Sequence, residues 1–308
     1  MNNRLPIAKM LTFGLLPGCI KKAIYRLKGN HIGRHVKLRI GSVIVSKNKF
    51  SIDNDTKIGF FTSISGHDIH IGKRNQIRSA VIINATHITI GNDTTISETA
   101  IIRAGHVTEK SQIIIDNLVH IFPHTTIDPS RIIHLKEECA VGPGCGIFTH
   151  GSYKNILDGY PVTYGDVTIG KRVELTYNVF VAPGVTIGDD SIIAYGSYVN
   201  SDIPSEVMAA GCPAKVKRTK EQFAPTPTEE QKKAILKGII NDFEEHLTFI
   251  GLTHKPEDIC FNGISEIVVE GKYHFDLVNY RCDKPESSLS KELRRFLSRY
   301  GIRFKISE

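Results

Sequence analysis

The sequence predicts a mainly β protein. Residues 31–218 are expected to form a parallel β-helix, with a helical segment before it (1–30) and a small α+β domain after it (219–308). Three observations carry this. Residues 31–218 contain 30 Ile and 16 Val but only 5 Leu, and β-branched side chains favour strands. Apolar residues then recur every sixth position: Ile169, Leu175, Val181, Ile187, Ile193 and Val199. A period of six fits neither an α-helix nor a simple alternating strand, but it fits a coil of three short strands, each with one inward aliphatic residue. Finally, the Ile-Gly pairs Ile40-Gly41 and Ile58-Gly59, and Ile169-Gly170 and Ile187-Gly188, are each 18 apart, three hexads per coil. Such a solenoid buries its core by stacking and needs a cap at each end.

Taken in order, the leading segment comes first. The chain has 308 residues and a formal charge of +7. Six basic residues and no acid fall within residues 1–30: Arg4, Lys9, Lys21, Lys22, Arg26 and Lys28. The excess charge therefore belongs to a short segment and not to a face of the folded body, which argues against nucleic acid as a partner. Pro6 and Pro17 suit helix starts. Ile20, Ala23, Ile24 and Leu27 form one helical stripe, which suits either a cap packed on the main domain or a weak membrane-surface contact by a basic amphipathic helix. No apolar run reaches 18 residues, so no transmembrane helix is expected. The six cysteines are scattered without a CxxC pair. That pattern suits a reducing cytoplasm, at the inner face of the membrane if the leading segment binds there.

The six-residue grid runs through Ile40, Ile52, Ile58 and Ile64, then Ile71 and Ile77 after a one-residue slip. It continues through Ile90, Ile96 and Ile102, and through Ile115, Ile121, Ile127 and Ile133. It fails between about 145 and 166, then resumes at Val167. An interruption in a solenoid is an external loop, here 149–166, and loops on rigid scaffolds carry function. This one begins with Thr149-His150.

The repeat resembles the hexapeptide-repeat family of left-handed β-helix acyltransferases. A closer match lies in Phe148-Thr149-His150, Tyr164-Gly165, Val167-Thr168-Ile169-Gly170, Val181-Ala182-Pro183-Gly184-Val185-Thr186-Ile187-Gly188, Asp202-Ile203-Pro204 and Gly211-Cys212-Pro213-Ala214-Lys215. In this order they resemble the galactoside and maltose O-acetyltransferase branch, which includes polysaccharide acetyltransferases. The resemblance implies acetyl-CoA as donor, a sugar or glycan acceptor, a homotrimer with sites between neighbouring prisms, and no required metal. It makes His150 the general base. An imidazole near neutral pKa can take a hydroxyl proton during attack on a thioester, so no covalent acyl-enzyme is needed. It also places CoA near Thr176 and at Ala194-Tyr195, with Lys215 and Arg218 for its phosphates. Glu174 stands where these enzymes often have Trp; it could orient His150, bind an acceptor hydroxyl or face solvent. Tyr195 stands where a small residue is usual. The acceptor itself is not transferable.

Two rival readings come from the same residues. One is N-acetylation of a nucleotide-linked amino sugar, which the same base would serve; the other is a non-catalytic scaffold. A zinc site of the γ-carbonic-anhydrase kind, from His87, His120 and His124, is disfavoured because His120 adjoins the inward Ile121 and should point outward. Beyond a Pro- and Thr-rich linker, residues 228–250 predict a helix. Thr228 and Gln231 form its capping box, and Ile235, Ile239, Phe243, Leu247 and Ile250 its stripe. Strands follow at 264–270 and 273–280, then a helix from Ser287 to Tyr300 and a strand at 302–306. The resemblance does not reach this domain.

Overall fold

The structure, a computed structural model, describes residues 6–307; Arg4 lies outside the described residues. Residues 31–219 wind into a left-handed parallel β-helix with three faces. The first sheet has eight strands, from His31–Ile32 to Thr186–Ile187. The second has ten, from Lys37–Leu38 to Lys215–Thr219, and the third has eight, from Val43–Ser46 to Tyr198–Val199. Each coil contributes one strand to each sheet. Each strand points one aliphatic residue inward, or two in four-residue strands such as Asp68–Ile71, and each stacks on its counterpart one coil away, as Ile52 does on Ile71. Burying each such aliphatic side chain stabilises the fold by roughly 1.5–3 kcal/mol.

The registers show where the six-residue rule holds. The inward positions Ile71, Ile77 and Ile83 are six apart, as are Ile90, Ile96 and Ile102, and Leu135, Val141 and Ile147. These steps cross the first-to-second and second-to-third corners. Non-glycine residues with positive φ occupy those corners, including Arg74, Asp93 and Arg172 at one and Thr99, His124 and Asn178 at the other. Such a turn has a fixed length. Extra residues therefore collect at the third-to-first corner: from Ile64 to Ile71, from Ile102 to Ile115 and from Ile147 to Ile169.

This corrects two expectations. Ile40 is not an inward residue: it is 48% exposed, and Leu38 pairs with Ile58 in its place. Likewise the inward partner of Ile115 is Leu135, while Ile133 pairs with Ile113. Early coils thus repeat at 19 or 20 residues (Ile32 with Ile52, Ile52 with Ile71), and the 18-residue coil is met from Thr168 and Ile169 to Thr186 and Ile187.

Two helices, α1 (Ile7–Leu11) and α2 (Gly18–Leu27), precede the first coil. α2 packs by a face opposite to the expected stripe: Lys21 and Tyr25 are its buried residues, while Ile20 and Leu27 are exposed. The reason is the open end of the β-helix, whose backbone groups need partners. Lys21 Nζ donates to the carbonyls of Gly14 (3.2 Å), Arg39 (2.7 Å) and Ser42 (3.1 Å) and to the Ser42 hydroxyl (3.0 Å). Lys22 donates to the Val36 carbonyl, Arg26 to those of Ile32 and Gly33, and Tyr25 to that of Ile44. Half of the leading basic residues therefore finish a sheet edge.

The chain divides into two compact units between Ala224 and Pro225. A short helix, α3 (Lys220–Phe223), lies within the expected linker and ends the first unit. In the second unit, α4 (Glu229–Phe249) starts at Thr228 with the full capping box to Gln231, and α5 (Ser288–Leu297) starts at Ser287. Five strands form its sheet, including Ile259–Asn262 and Arg281–Cys282, which the pattern did not predict. Ile239, Phe243 and Leu247 are buried, but the stripe ends Ile235 and Ile250 are exposed.

Candidate active site

The third-to-first corner gathers residues from successive coils, about 4.8 Å apart along the axis. Asp128 ends the strand Thr126–Asp128 and lies beside Phe148, which ends the strand Gly146–Phe148. Two residues on, His150 opens the external loop. Its ring reaches back to Asp128, with Nδ1 2.9 Å from Oδ2. Both side chains are largely buried, at 19% and 11% exposed. Buried Nδ1 has no aligned hydrogen-bond partner, although Asp128 Oδ2 lies within ion-pair distance of it.

Asp128 is itself held. Its Oδ1 accepts the Gly105 N–H (3.0 Å), the Ser130 N–H (3.0 Å) and the Ser130 hydroxyl (2.6 Å). Thr149, fully buried, donates its hydroxyl to the Asp128 carbonyl (2.7 Å) and accepts the Arg131 N–H (2.9 Å). The far end of the loop is anchored when Asp166 accepts the Ile132 N–H (3.1 Å). His150 and Tyr164 form an antiparallel pair that closes the loop's neck.

Three neighbours wall the imidazole. His106, in the corner after Arg103, meets its ring edge-to-face at 4.9 Å. Tyr164 lies near-parallel to it at 6.0 Å and is covered by the Arg131 guanidinium at 4.6 Å. Gly105 backs the ring so closely that a Cβ there would meet His150 Cε1 at 2.8 Å and Asp128 Oδ2 at 3.0 Å. With Asp128 facing Nδ1, Nε2 is the nitrogen left for a substrate proton, the logic of any oriented histidine base.

The other candidates do not join His150 in this chain. Glu174 is exposed on the strand Glu174–Leu175 of the second sheet. Within one chain the carboxylate that meets His150 is Asp128, and the grid carries Glu174 to a different face. Thr176, Ala194 and Tyr195 lie at the second-to-third corner. The Thr176 N–H and hydroxyl both donate to the Ile193 carbonyl (3.1 and 2.9 Å), and the Ala194 N–H to that of Ala209 (2.9 Å). The amides of Thr176 and Ala194 are spent inside the coil, and their carbonyls accept the Cys145 thiol and the Ser197 hydroxyl. Tyr195 is 70% exposed. Lys215 and Arg218 are exposed on Lys215–Thr219.

The local pattern does not single out Asp128, Ser130 or His106 as neighbours of His150. Their signal was present as the long steps in the grid, all at one corner, with Asp128 directly after the inward Ile127 and one coil before the loop. The suspected zinc histidines are spread out: His87 contacts Asp68 (2.9 Å), His120 bonds Ser97 and His124 bonds Thr99. Cys145 is buried, and burial pushes its thiol up to about 11; it packs as a structural thiol on the Thr176 carbonyl.

Comparison with known proteins agrees with the repeat. No protein-family model matches the chain. A Saccharomyces cerevisiae protein, YJL218W, that carries only a provisional acetyltransferase name is 36% identical over 109 residues, 34% of this chain and 55% of that protein. The galactoside O-acetyltransferase of Escherichia coli is 52% identical over 52 residues, 17% of this chain and 26% of the enzyme. The chain thus spans about half of the first relative and a quarter of the second. Among solved structures, LpxA, a UDP-N-acetylglucosamine acyltransferase of Bacteroides fragilis, aligns with a TM-score of 0.49 at 18% identity over 74% of this chain and 89% of that one. By its repeat, its coil and these sequence matches, the chain is similar to the hexapeptide-repeat, left-handed β-helix acyltransferases.

Proposed function

We propose that this protein transfers an acetyl group from acetyl-CoA to a hydroxyl of a sugar or glycan, in the synthesis of a surface polysaccharide. The observation that carries this reading is the held Asp128–His150 pair at the neck of the external loop. The acceptor oxygen attacks the thioester carbonyl while His150 Nε2 takes its proton. The tetrahedral intermediate then expels the CoA thiolate, which recovers the proton from the imidazolium. Asp128 stabilises that imidazolium. The name of the E. coli relative, a galactoside O-acetyltransferase, supports a sugar hydroxyl as acceptor.

The donor side supports an oligomer. His150 sits on one edge of the prism, while Thr176, Ala194 and Tyr195 line another. A complete site needs the edge of a neighbouring copy beside His150, which a homotrimer supplies. Lys215 and Arg218 are then the donors for CoA phosphates.

The test is an acceptor screen with acetyl-CoA, with products read by mass and as ester or amide. Replacing His150 by Ala is expected to lower kcat/KM by roughly 10²–10⁴. A loss of less than about threefold would remove the base assignment, and amide products would move the acceptor to an amine.

A further inference from the structure

We propose that the N-terminal cap is a docking face for an anionic bilayer surface. Exposed Ile7, Leu11, Leu15 and Leu27 enter the headgroup layer, and Lys9, Lys28, Lys47 and Lys49 bind lipid phosphates.

The argument starts from the inversion of α2. An amphipathic helix on a soluble domain turns its apolar stripe to the core. Here the core-facing side is Lys21 and Tyr25, and it is spent on the carbonyls of the first coil. Of the stripe, Ile20, Ala23 and Leu27 are left outside and Ile24 is half-buried. Ile7 is 58% exposed, Leu11 61%, Leu15 50% and Leu27 87%. All four fall within 21 consecutive residues, Ile7 and Leu11 on α1, Leu27 on α2 and Leu15 in the 3-10 turn between them.

The charge at this end points to the occupant. Between α1, α2 and the first third-to-first corner lies an open cavity of about 520 Å³. Lys9, Lys28, Lys47 and Lys49 line it together with Tyr25 and Asn30, and its lining holds no carboxylate. Residues 1–30 contain no acid at all. Lys21, Lys22 and Arg26 are committed to the sheet edge, whereas Lys9, Lys28, Lys47 and Lys49 are exposed and line this cavity. Exposed apolar side chains and uncommitted cations on one short segment and the coil it caps match an interface of acyl chains under negative headgroups. The other end of the β-helix closes differently, with the antiparallel strand Lys215–Thr219 and α3.

The experiment is co-sedimentation of the full chain with vesicles of phosphatidylcholine alone and of phosphatidylcholine mixed with phosphatidylglycerol. The wild type is expected to pellet with the mixed vesicles, less so as salt rises, and to stay in solution with the neutral ones. Each lysine near the surface is worth roughly a fivefold change in partition, so the pair Lys9→Glu and Lys28→Glu is expected to lose at least about 30-fold. The pair Leu11→Ser and Leu27→Ser is expected to lose binding while the charge is intact. Should either pair melt below the wild type, Lys47→Glu with Lys49→Glu on the prism itself tests the charge, and Leu15→Ser the apolar contact. Equal pelleting with both vesicle types, no pelleting with either, or wild-type partition by the variants would overturn the proposal. Acetyl transfer to a soluble acceptor is expected to be unchanged in these variants, so this test is independent of the catalytic one.

Discussion

At the residue scale, two buried contacts make predictions of opposite kinds. Gly105 is needed for space. Adding one methyl in Gly105→Ala drives an atom into His150 and Asp128 and is expected to cut kcat/KM at least tenfold while the melting temperature moves little. A silent variant would mean the pair is not held where the reaction needs it. Asp128→Asn keeps the shape and removes the charge, and roughly 10–100-fold loss is expected, as for other residues that orient an imidazole. Lys21 is needed for bonds. Lys21→Met removes the four hydrogen bonds of a buried ammonium, to three carbonyls and a hydroxyl, at an expected cost of about 3 kcal/mol by urea unfolding. Burial also pulls the Lys21 ammonium down to about 8 from 10.5. Above pH 8 the unfolded chain then binds more protons than the folded one, so folding stability rises with pH. Cys145, raised to about 11, and Tyr25, raised to about 12, act in the opposite sense once pH passes 9 and 10. The Lys21 rise is therefore read between pH 8 and 9, and it is expected to vanish in Lys21→Met.

At the element scale, the three corners differ in what they tolerate. The corners that hold six-residue steps contain residues at positive φ, such as Asp93 with φ 56°. One glycine inserted after Asp93 shifts the following strand by one residue and turns Ile96 outward. Losing that buried side chain is expected to cost about 2–5 kcal/mol. The same insertion between Lys47 and Asn48, at the corner that already varies in length, is expected to cost about 1 kcal/mol or less. Equal costs in chemical denaturation would mean the corners are not distinct. This asymmetry explains why Asp128, Ser130, His106 and His150 meet. Only one edge of the coil can absorb inserted residues, so every elaborated loop stacks on it.

At the scale of the whole molecule, two predictions follow from which surfaces are sealed. Cys139, Cys145 and Cys282 are buried, while Cys19, Cys212 and Cys260 are exposed. Alkylation of the native protein, counted by mass spectrometry, is expected to stop at those three; rapid modification of Cys145 would contradict its burial. The separation of His150 from the second-to-third corner predicts complementation. Chains carrying His150→Ala and chains carrying Arg218→Glu are each expected to be inactive, and their mixed oligomers to regain part of the activity. Failure of mixed oligomers to regain any would place both halves of the site in one chain.

The amino-acid sequence by itself determined the coil and much of the second unit. Ile and Val at sixth positions can be buried together only by stacked short strands, and the Thr228–Gln231 capping box is a local bond that needs no tertiary context. The loop and His150 were legible for the same reason, because a broken period is visible in one dimension. The register of the early coils was not: Ile40 and Leu38 satisfy similar periodic rules, and only the pairing of Leu38 with Ile58 chooses between them. Nor was the partner of His150. Asp128 lies 22 residues earlier in the chain, one coil plus two residues, a spacing set by one irregular corner, and no local preference encodes it. The direction of α2 was decided by the open sheet edge, where unpaired carbonyls outweigh the apolar stripe: an unsatisfied buried carbonyl costs about 1–3 kcal/mol, comparable to what burying one leucine would return.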